Sequence, residues 1–450
     1  MTNDMTTGSP VRLIIGFMIP TCLGNIFQQF YNLADSIVAG RFIGVDALAA
    51  IGSTSSLVFL VIGWLNGLTS GFSILVAQSF GARRFEKMRR YVAMSVLLCI
   101  AFVVVMTASL LYFNEPILRL MNAPEEIIAD VASYMAVIYS GLAVTAAYNA
   151  MAAFMRALGD GKSPLYFLII SGILNVFLDV LFIVKFNMGV AGCGYATVLA
   201  QAVSAALCLA YIAKKLPMLK LGRRNFKLSW RSMARLLAMG IPMALQFSIT
   251  AVGTIIVQGA VNVFGAIYIA GFSAAGKIQT MISTVFTSFG ATIATYVGQN
   301  RGAGKLDRVR QGVVVTQILI LAWSLFMIGF IRLAGPYMVR IFVDGSQTEV
   351  LDAAMVYFVT VAWFYPFLGS IFLYRNALQG LGYGLVPMMG GVFELIARFL
   401  VVMAVVGPMG YRGACLADPA AWLAALIPIV PYYFYRMAQY RRQLQGQAGC

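Results

Sequence analysis

Residues 13–38 read LIIGFMIPTCLGNIFQQFYNLADSIV. A helix needs about 20 apolar residues to cross the hydrocarbon of a bilayer, and this stretch is long enough. It is too long for the apolar region of a cleaved signal peptide, roughly 7–15 residues, and similar runs follow it. Yet it holds one proline, Pro20, and one acid, Asp35. An ionisable side chain inside a span costs about 2.5–3.5 kcal/mol on insertion scales, so a span that retains one is a functional candidate.

The rest of the chain repeats this pattern. Of 450 residues, 61% are hydrophobic and 11% charged, with a mean hydropathy of +0.85. So few charges cannot cover a water-exposed surface, which excludes soluble, disordered and disulfide-rich secreted classes. Twelve apolar segments are expected, near 12–40, 47–77, 91–113, 131–155, 164–185, 189–213, 235–262, 267–297, 311–333, 354–378, 387–407 and 412–435. None alternates as a barrel strand would. Only helices satisfy every backbone group in lipid at this hydrophobicity. The expected fold is therefore all-α: a polytopic membrane protein with twelve transmembrane helices.

Charge placement gives the orientation. Of the 32 Lys and Arg, 24, Arg375 after the tenth segment among them, fall at the ends or in the connections after the even-numbered segments, and 6 on the other side. The remaining two, Lys277 and Arg398, sit inside spans. The positive-inside rule then places both termini in the cytoplasm of a cell (inner) membrane protein. Basic loops facing an anionic leaflet account for the net charge of +16 without nucleic acid. Histidine is absent, so there is no imidazole base or ligand. Of the six cysteines, Cys22, Cys99, Cys193, Cys208 and Cys415 lie in apolar segments and read as small hydrophobes, and Cys450 ends the chain.

The two halves repeat. Gln78-Ser-Phe-Gly81-Ala82 matches Gln299-Asn-Arg-Gly302-Ala303, and Leu158-Gly159-Asp-Gly161 with Pro164 matches Leu381-Gly382-Tyr-Gly384 with Pro387. Met188-Gly189 and Gly192 match Met409-Gly410 and Gly413, and Pro20 corresponds to Pro242. Six spans per repeat return the chain to its starting side, so two pseudo-symmetric six-helix lobes of like topology are expected. Their expected bounds are 1–213 for the N-lobe, 214–234 for a basic cytoplasmic linker and 235–450 for the C-lobe with a short tail.

The chemistry concentrates in a few residues. Asp35, Asp179 and Thr197 each lie five to eight residues from the outer end of spans 1, 5 and 6. Asn175 and Asp179 share a helix face at spacing i,i+4. At 1.5 Å per residue all four fall in one layer, roughly 7–15 Å deep. Two buried carboxylates held together cannot both stay ionised without a cation. A proton or an oxygen-preferring Na⁺ would relieve them; the alternative is a polar cluster that only sets helix register. By the repeat offsets the C-lobe has no counterpart, since Asp35 falls on Ile256 or Val257 and Asp179 on Val402. Glu394 and Arg398, at i,i+4, read first as an intrahelical ion pair and second as cavity residues. Lys277 either pairs with an acid or lines the cavity and meets an anionic group. Asp418 reads as interfacial, and Pro20 as a static kink or a hinge. Enzyme signatures fail: Gly161-Lys162-Ser163 has Arg156 where a phosphate loop needs glycine, and no HExxH occurs.

The chain resembles the multidrug and toxic compound extrusion (MATE) family over essentially its whole length. The resemblance is carried by Pro20 with Gln28-Gln-Phe-Tyr31-Asn32-Leu-Ala-Asp35, by Gln78 with Gly81-Ala82, and by Arg156-Ala-Leu-Gly159-Asp. Asn175-Val-Phe-Leu-Asp179, leading to Gly189, Gly192 and Thr197, and the duplicated second half complete it. It implies a twelve-helix, two-lobe exporter exchanging H⁺ or Na⁺ for organic, often cationic, compounds. In the archaeal and DinF-like branch, residues matching Asp35, Asn175, Asp179 and Thr197 form the cation site, with Tyr31 beside it and bending at the proline matching Pro20. The NorM-like branch has a C-lobe acid where this chain has Thr250.

The expected function is thus a cation-coupled secondary antiporter working by alternating access. It needs no cofactor beyond the coupling ion, and its partners are a small-molecule substrate and the bilayer. A monomer is expected. Glu394, Arg398 and Lys277 are candidate cavity residues. A flippase for lipid-linked precursors and a passive channel or receptor are the rival readings.

Overall fold

The computed structural model describes residues 3–43, 45–121, 125, 127–342 and 347–448. Among these the chain is helical throughout, joined by short turns. In the first half α1 (Pro10–Phe42), α2 (Val45–Gly81) and α3 (Phe85–Tyr112) are followed by a short α4 (Asn114–Leu120). Then come α5 (Ile128–Ser140), α6 (Leu142–Ala157), α7 (Lys162–Val180) and α8 (Gly189–Lys215). The second half runs α9 (Trp230–Asn262), α10 (Ala266–Gly302), α11 (Leu306–Val339), α12 (Thr348–Val361), α13 (Tyr365–Gly380) and α14 (Leu385–Ala404). It ends with the short α15 (Val406–Met409) and α16 (Tyr411–Cys415) and the long α17 (Ala417–Ala448).

Among the described residues, eleven helical stretches are long and apolar enough to cross a membrane. The expected twelfth is a bent pair: α5 and α6 meet at 46° on either side of Gly141. The corresponding span of the second half, α12 with α13, is also interrupted, by a 3₁₀ turn at Ala362–Phe364.

The repeat is visible in backbone geometry. α1 and α9 both have 33 residues, and α2 and α10 both have 37. Gly159 and Gly382 have φ of +83° and +92°, and Gly189 and Gly410 have +57° and +60°. An L side chain in this left-handed region is strained, so the paired glycines stand where the same two turns recur.

The chain packs as two compact units, Met1–Asp4 with Ile19–Ala244 and Met5–Met18 with Leu245–Cys450. The divisions fall inside α1 and inside α9, each within two residues of its proline, Pro20 or Pro242. Residues 214–234, read above as the linker, form two 3₁₀ turns and lie wholly in the first unit.

In the second unit α10 is the central helix. Ile278, Ile282, Phe286, Phe289, Ile293 and Tyr296 recur every three or four residues and are all buried. The N-terminal segment docks beside its far end: the Met5 amide donates to Gln299 Oε1 at 2.8 Å, Asn300 Nδ2 donates to Met5 O at 3.1 Å, and Lys305 Nζ donates to Thr6 O at 2.8 Å. The Gln299-Asn300 motif thus satisfies backbone groups that lipid could not.

In the first unit α2 crosses α9 at Gly71 and Gly240, where a Cβ on Gly71 would come within 2.6 Å of the Gly240 Cα. Membrane helices gain little from hydrophobicity against lipid, so such close backbone approach supplies much of their packing. Gly71→Val is expected to destabilise the protein by about 1–3 kcal/mol, read as an earlier thermal transition of the purified protein in detergent.

Candidate functional site

The first unit gathers the acids. α1 presents Tyr31 and Asp35 on successive turns, α7 presents Asn175 and Asp179, and α8 presents Thr197. Asn175 and Asp179 are completely buried, Tyr31 is buried, and Asp35 and Thr197 are partly exposed. With the Asn175 amide turned to satisfy its donors, its nitrogen donates to Asp35 Oδ1 at 2.6 Å and to Asp179 Oδ2 at 3.3 Å. Its oxygen accepts from the Tyr31 hydroxyl at 3.3 Å. Thr197 Oγ1 donates to Asp35 Oδ2 at 3.5 Å. One amide nitrogen thus holds an oxygen of each carboxyl group within 3.3 Å. Asp179 Oδ1 is buried and has no hydrogen-bond partner.

This geometry has a chemical consequence. Ionised carboxylates only accept hydrogen bonds, so direct contact between two of them requires a proton on one. In a poorly solvated site the second charge is too costly to keep uncompensated. The cluster is therefore a candidate site for one small cation, and Asp35 is its partly exposed acid. The α1, α7 and α8 residues expected to share a layer do come together, with Tyr31 among them.

Local structure supports the cluster. A Cβ on Gly172, one turn before Asn175, would stand 2.6 Å from the Phe27 ring and 3.2 Å from the Tyr31 ring. Gly172 thus admits the aromatic face of α1 against α7. Just past Asp179, Leu181–Lys185 form a π-helical turn, a distortion frequent at functional sites. Sequence reasoning missed Tyr134 of α5 and Cys193 of α8, which interact electrostatically with both carboxyls. A tyrosine and a cysteine within apolar spans gave no signal of that proximity.

The second unit holds a different charge cluster. Glu394 and Arg398 do not form an isolated intrahelical pair. Glu394 bonds Arg375 of α13, Arg398 lies 3.8 Å from Glu394, and Arg398 Nε donates to Asp418 of α17 at 3.2 Å. The Tyr357 hydroxyl of α12 donates to Asp418 at 3.3 Å. Arg375, Glu394 and Arg398 are about 5% exposed. This corrects three expectations. Glu394 and Arg398 are not cavity residues, because they are enclosed. Asp418 is not merely interfacial, because it completes the network. Arg375 belongs to no basic loop, because α13 continues past the apolar segment and buries it. Two cations and two anions cancel, so the network binds four helices without a net charge.

Lys277 of α10 is exposed, with its amine 5.4 Å from the centre of the Phe342 ring. Among the described residues no acid pairs with it. The side chain of Asn32, part of the motif on α1, lies outside the described residues, as does Cys450.

A bundle of apolar helices built from two repeats, with a close pair of carboxyl groups in one of them, is the architecture of a polytopic membrane transporter. The sequence model of the MatE family matches this chain twice, over residues 20–181 and 242–404, and the chain belongs to that family. The two matches begin at Pro20 and Pro242, in keeping with the duplication. The chain is 27% identical to the probable multidrug resistance protein YpnP of Bacillus subtilis, over 96% of each chain. It is 22% identical to the FAD transporter of Shewanella oneidensis, over 94% of this chain and 93% of that one. Its fold is similar to a solved structure described as the outward-facing conformation of a multidrug resistance MATE family transporter of the MOP superfamily, with a TM-score of 0.90 and 21% identity over 98% and 99% of the chains. The protein is thus a multi-pass membrane transporter of small compounds and not an enzyme.

Two outcomes follow from these contacts. Glu394→Gln leaves two buried guanidinium groups facing one acid, and is expected to cost about 3–5 kcal/mol, seen as loss of folded protein on size-exclusion chromatography. Gly172→Leu displaces Phe27 and Tyr31, and is expected to reduce substrate efflux several-fold in cells with membrane protein levels unchanged on immunoblots.

Proposed function

We propose that this protein is a proton-coupled antiporter that exports organic, amphipathic compounds by alternating access. The observation that carries this reading is the carboxyl pair Asp35–Asp179, bridged by the Asn175 amide nitrogen. The pair takes up one proton from the side of higher proton activity, and that uptake favours the state that releases substrate outside. Each charge moved down 100 mV supplies about 2.3 kcal/mol. Substrate binding then displaces the proton to the cytoplasm and resets the cycle.

Sodium fits the same residues less well. A Na⁺ ion prefers oxygen ligands, whereas the Asn175 amide turns its nitrogen toward both carboxyls and its oxygen toward Tyr31. The acids on α1 and α7, together with Thr250 at the second-half position, favour the archaeal and DinF-like branch over the NorM-like one. We read the protein as a monomer in the cell membrane with both termini in the cytoplasm, on the charge asymmetry of its connections. The names of its relatives span drug resistance and flavin nucleotide transport, so they leave the substrate open.

The test uses protein reconstituted in vesicles loaded with rhodamine B, an amphipathic dye that carries both a cationic ring system and a free carboxylate, energised first by a pure pH gradient and then by a pure Na⁺ gradient. Proton-driven transport is expected, and Asp35→Asn and Asp179→Asn are expected to lower it at least about tenfold, since an amide cannot exchange the proton. Full transport by both variants would sink the coupling site, and transport driven by Na⁺ alone would sink the choice of ion.

A further inference from the structure

Most spans meet their surroundings with apolar side chains. The exposed residues of α7 include Ile170, Ile173 and Phe177, and those of α14 include Ile396, Phe399 and Met403. Such faces suit lipid. The exposed face of α10 is different. It carries Ser273, Lys277, Thr280 and Thr287 over about four turns, with Met281 at its edge. The opposite face of the same helix is the apolar core of its unit. A row of hydroxyls around a primary amine is costly against hydrocarbon, and polar span residues turn instead to a water-filled space.

The donors on this face are unequal. The Thr280 hydroxyl donates to Gly276 O at 2.9 Å and the Thr287 hydroxyl to Ser283 O at 3.0 Å. These threonines offer a ligand mainly acceptor lone pairs. The Lys277 ammonium has three donors, a full positive charge and no acidic partner among the described residues. The Phe342 ring holds it without neutralising it. The buried cations Arg375 and Arg398 of this unit are, by contrast, matched by Glu394 and Asp418. Lys277 stands eleven residues from the helix start at Ala266, about 16 Å along the axis.

We propose that the polar face of α10 is the substrate-contacting wall of the second unit, and that Lys277 selects compounds bearing an ionised carboxylate or phosphate on an amphipathic body. This rests on the transporter reading above and narrows it: the cargo has an acidic group, alone or as a zwitterion, rather than cationic groups only. The amine supplies charge-assisted hydrogen bonds, and the threonines and Met281 accommodate the less polar remainder.

The test is direct binding to the purified full-length protein in phosphatidylcholine vesicles. Its two probes are a rhodamine with a free carboxylate and the methyl ester of the same dye, measured by fluorescence anisotropy. Lys277→Gln is expected to lower the acid-to-ester affinity ratio about tenfold, whereas Lys277→Arg, which keeps the charge, holds it within about threefold. An unchanged ratio in Lys277→Gln, an equal loss in both variants, or no binding of the free acid by the unaltered protein overturns the proposal. Repeating the measurement with phosphatidylglycerol in the vesicles separates the sources of anion. Collapse of the ratio there would mean that a lipid phosphate occupies Lys277, which also overturns it. Because the readout is binding, it stands apart from coupling: inert Asp35 and Asp179 variants end proton-driven transport without altering this ratio.

Discussion

Two carboxyl groups pressed together away from bulk water cannot both be charged. In the first unit this constraint organises everything near Asp35 and Asp179. Asn175 donates to both, Tyr31 and Thr197 complete the ring of polar partners, and one carboxyl oxygen of Asp179 remains unsatisfied. Packing holds the groups where their repulsion must be relieved by a cation, and Gly172 makes that packing possible by leaving room for the rings of α1. A site arranged this way stores a demand for positive charge that a gradient can meet.

The second unit shows the same electrostatics resolved in two other ways. Arg375, Glu394, Arg398 and Asp418 neutralise one another inside the bundle, so their desolvation is offset by mutual attraction and nothing is left to exchange. Gly253 permits this arrangement, since a Cβ there would lie 2.6 Å from the Arg398 guanidinium. Lys277 is the opposite case, a charge with no acidic partner among the described residues, on an exposed polar face. Three groups of charges in one chain thus divide into a close carboxyl pair, a neutralised network and an amine on an exposed face, and the division follows from what each charge touches.

Duplication explains why the division is asymmetric. The repeats share helix lengths, left-handed glycines and prolines at matching places, all features of the backbone. Charged side chains differ between the copies, while these backbone features recur. Ser56 stands at the first-unit position corresponding to Lys277, and Val402 at the second-unit position corresponding to Asp179. One scaffold therefore carries a close carboxyl pair in one copy and a polar face with a lysine in the other.

The amino-acid sequence by itself determined the solvent, the helical class, the repeat and the short list of intramembrane charges. Each follows from composition or from spacing along one helix: a run of apolar residues must be helical in lipid, and residues at i,i+4 must share a face. Asp35, Asn175, Asp179 and Thr197 were legible together because their depths along three helices could be counted from the ends. What only the tertiary structure decided is which faces meet. The partners of Arg398 come from α14 and α17, and that of Arg375 from α14, so no local spacing could reveal the network. Arg375 looked like a loop residue because it sits at the edge of an apolar run. Tyr134 and Lys277 show the same limit, since whether a side chain points at a carboxyl, at lipid or at water depends on the rotation of its helix against its neighbours. That rotation is set by packing between helices distant in sequence, which a linear pattern does not encode.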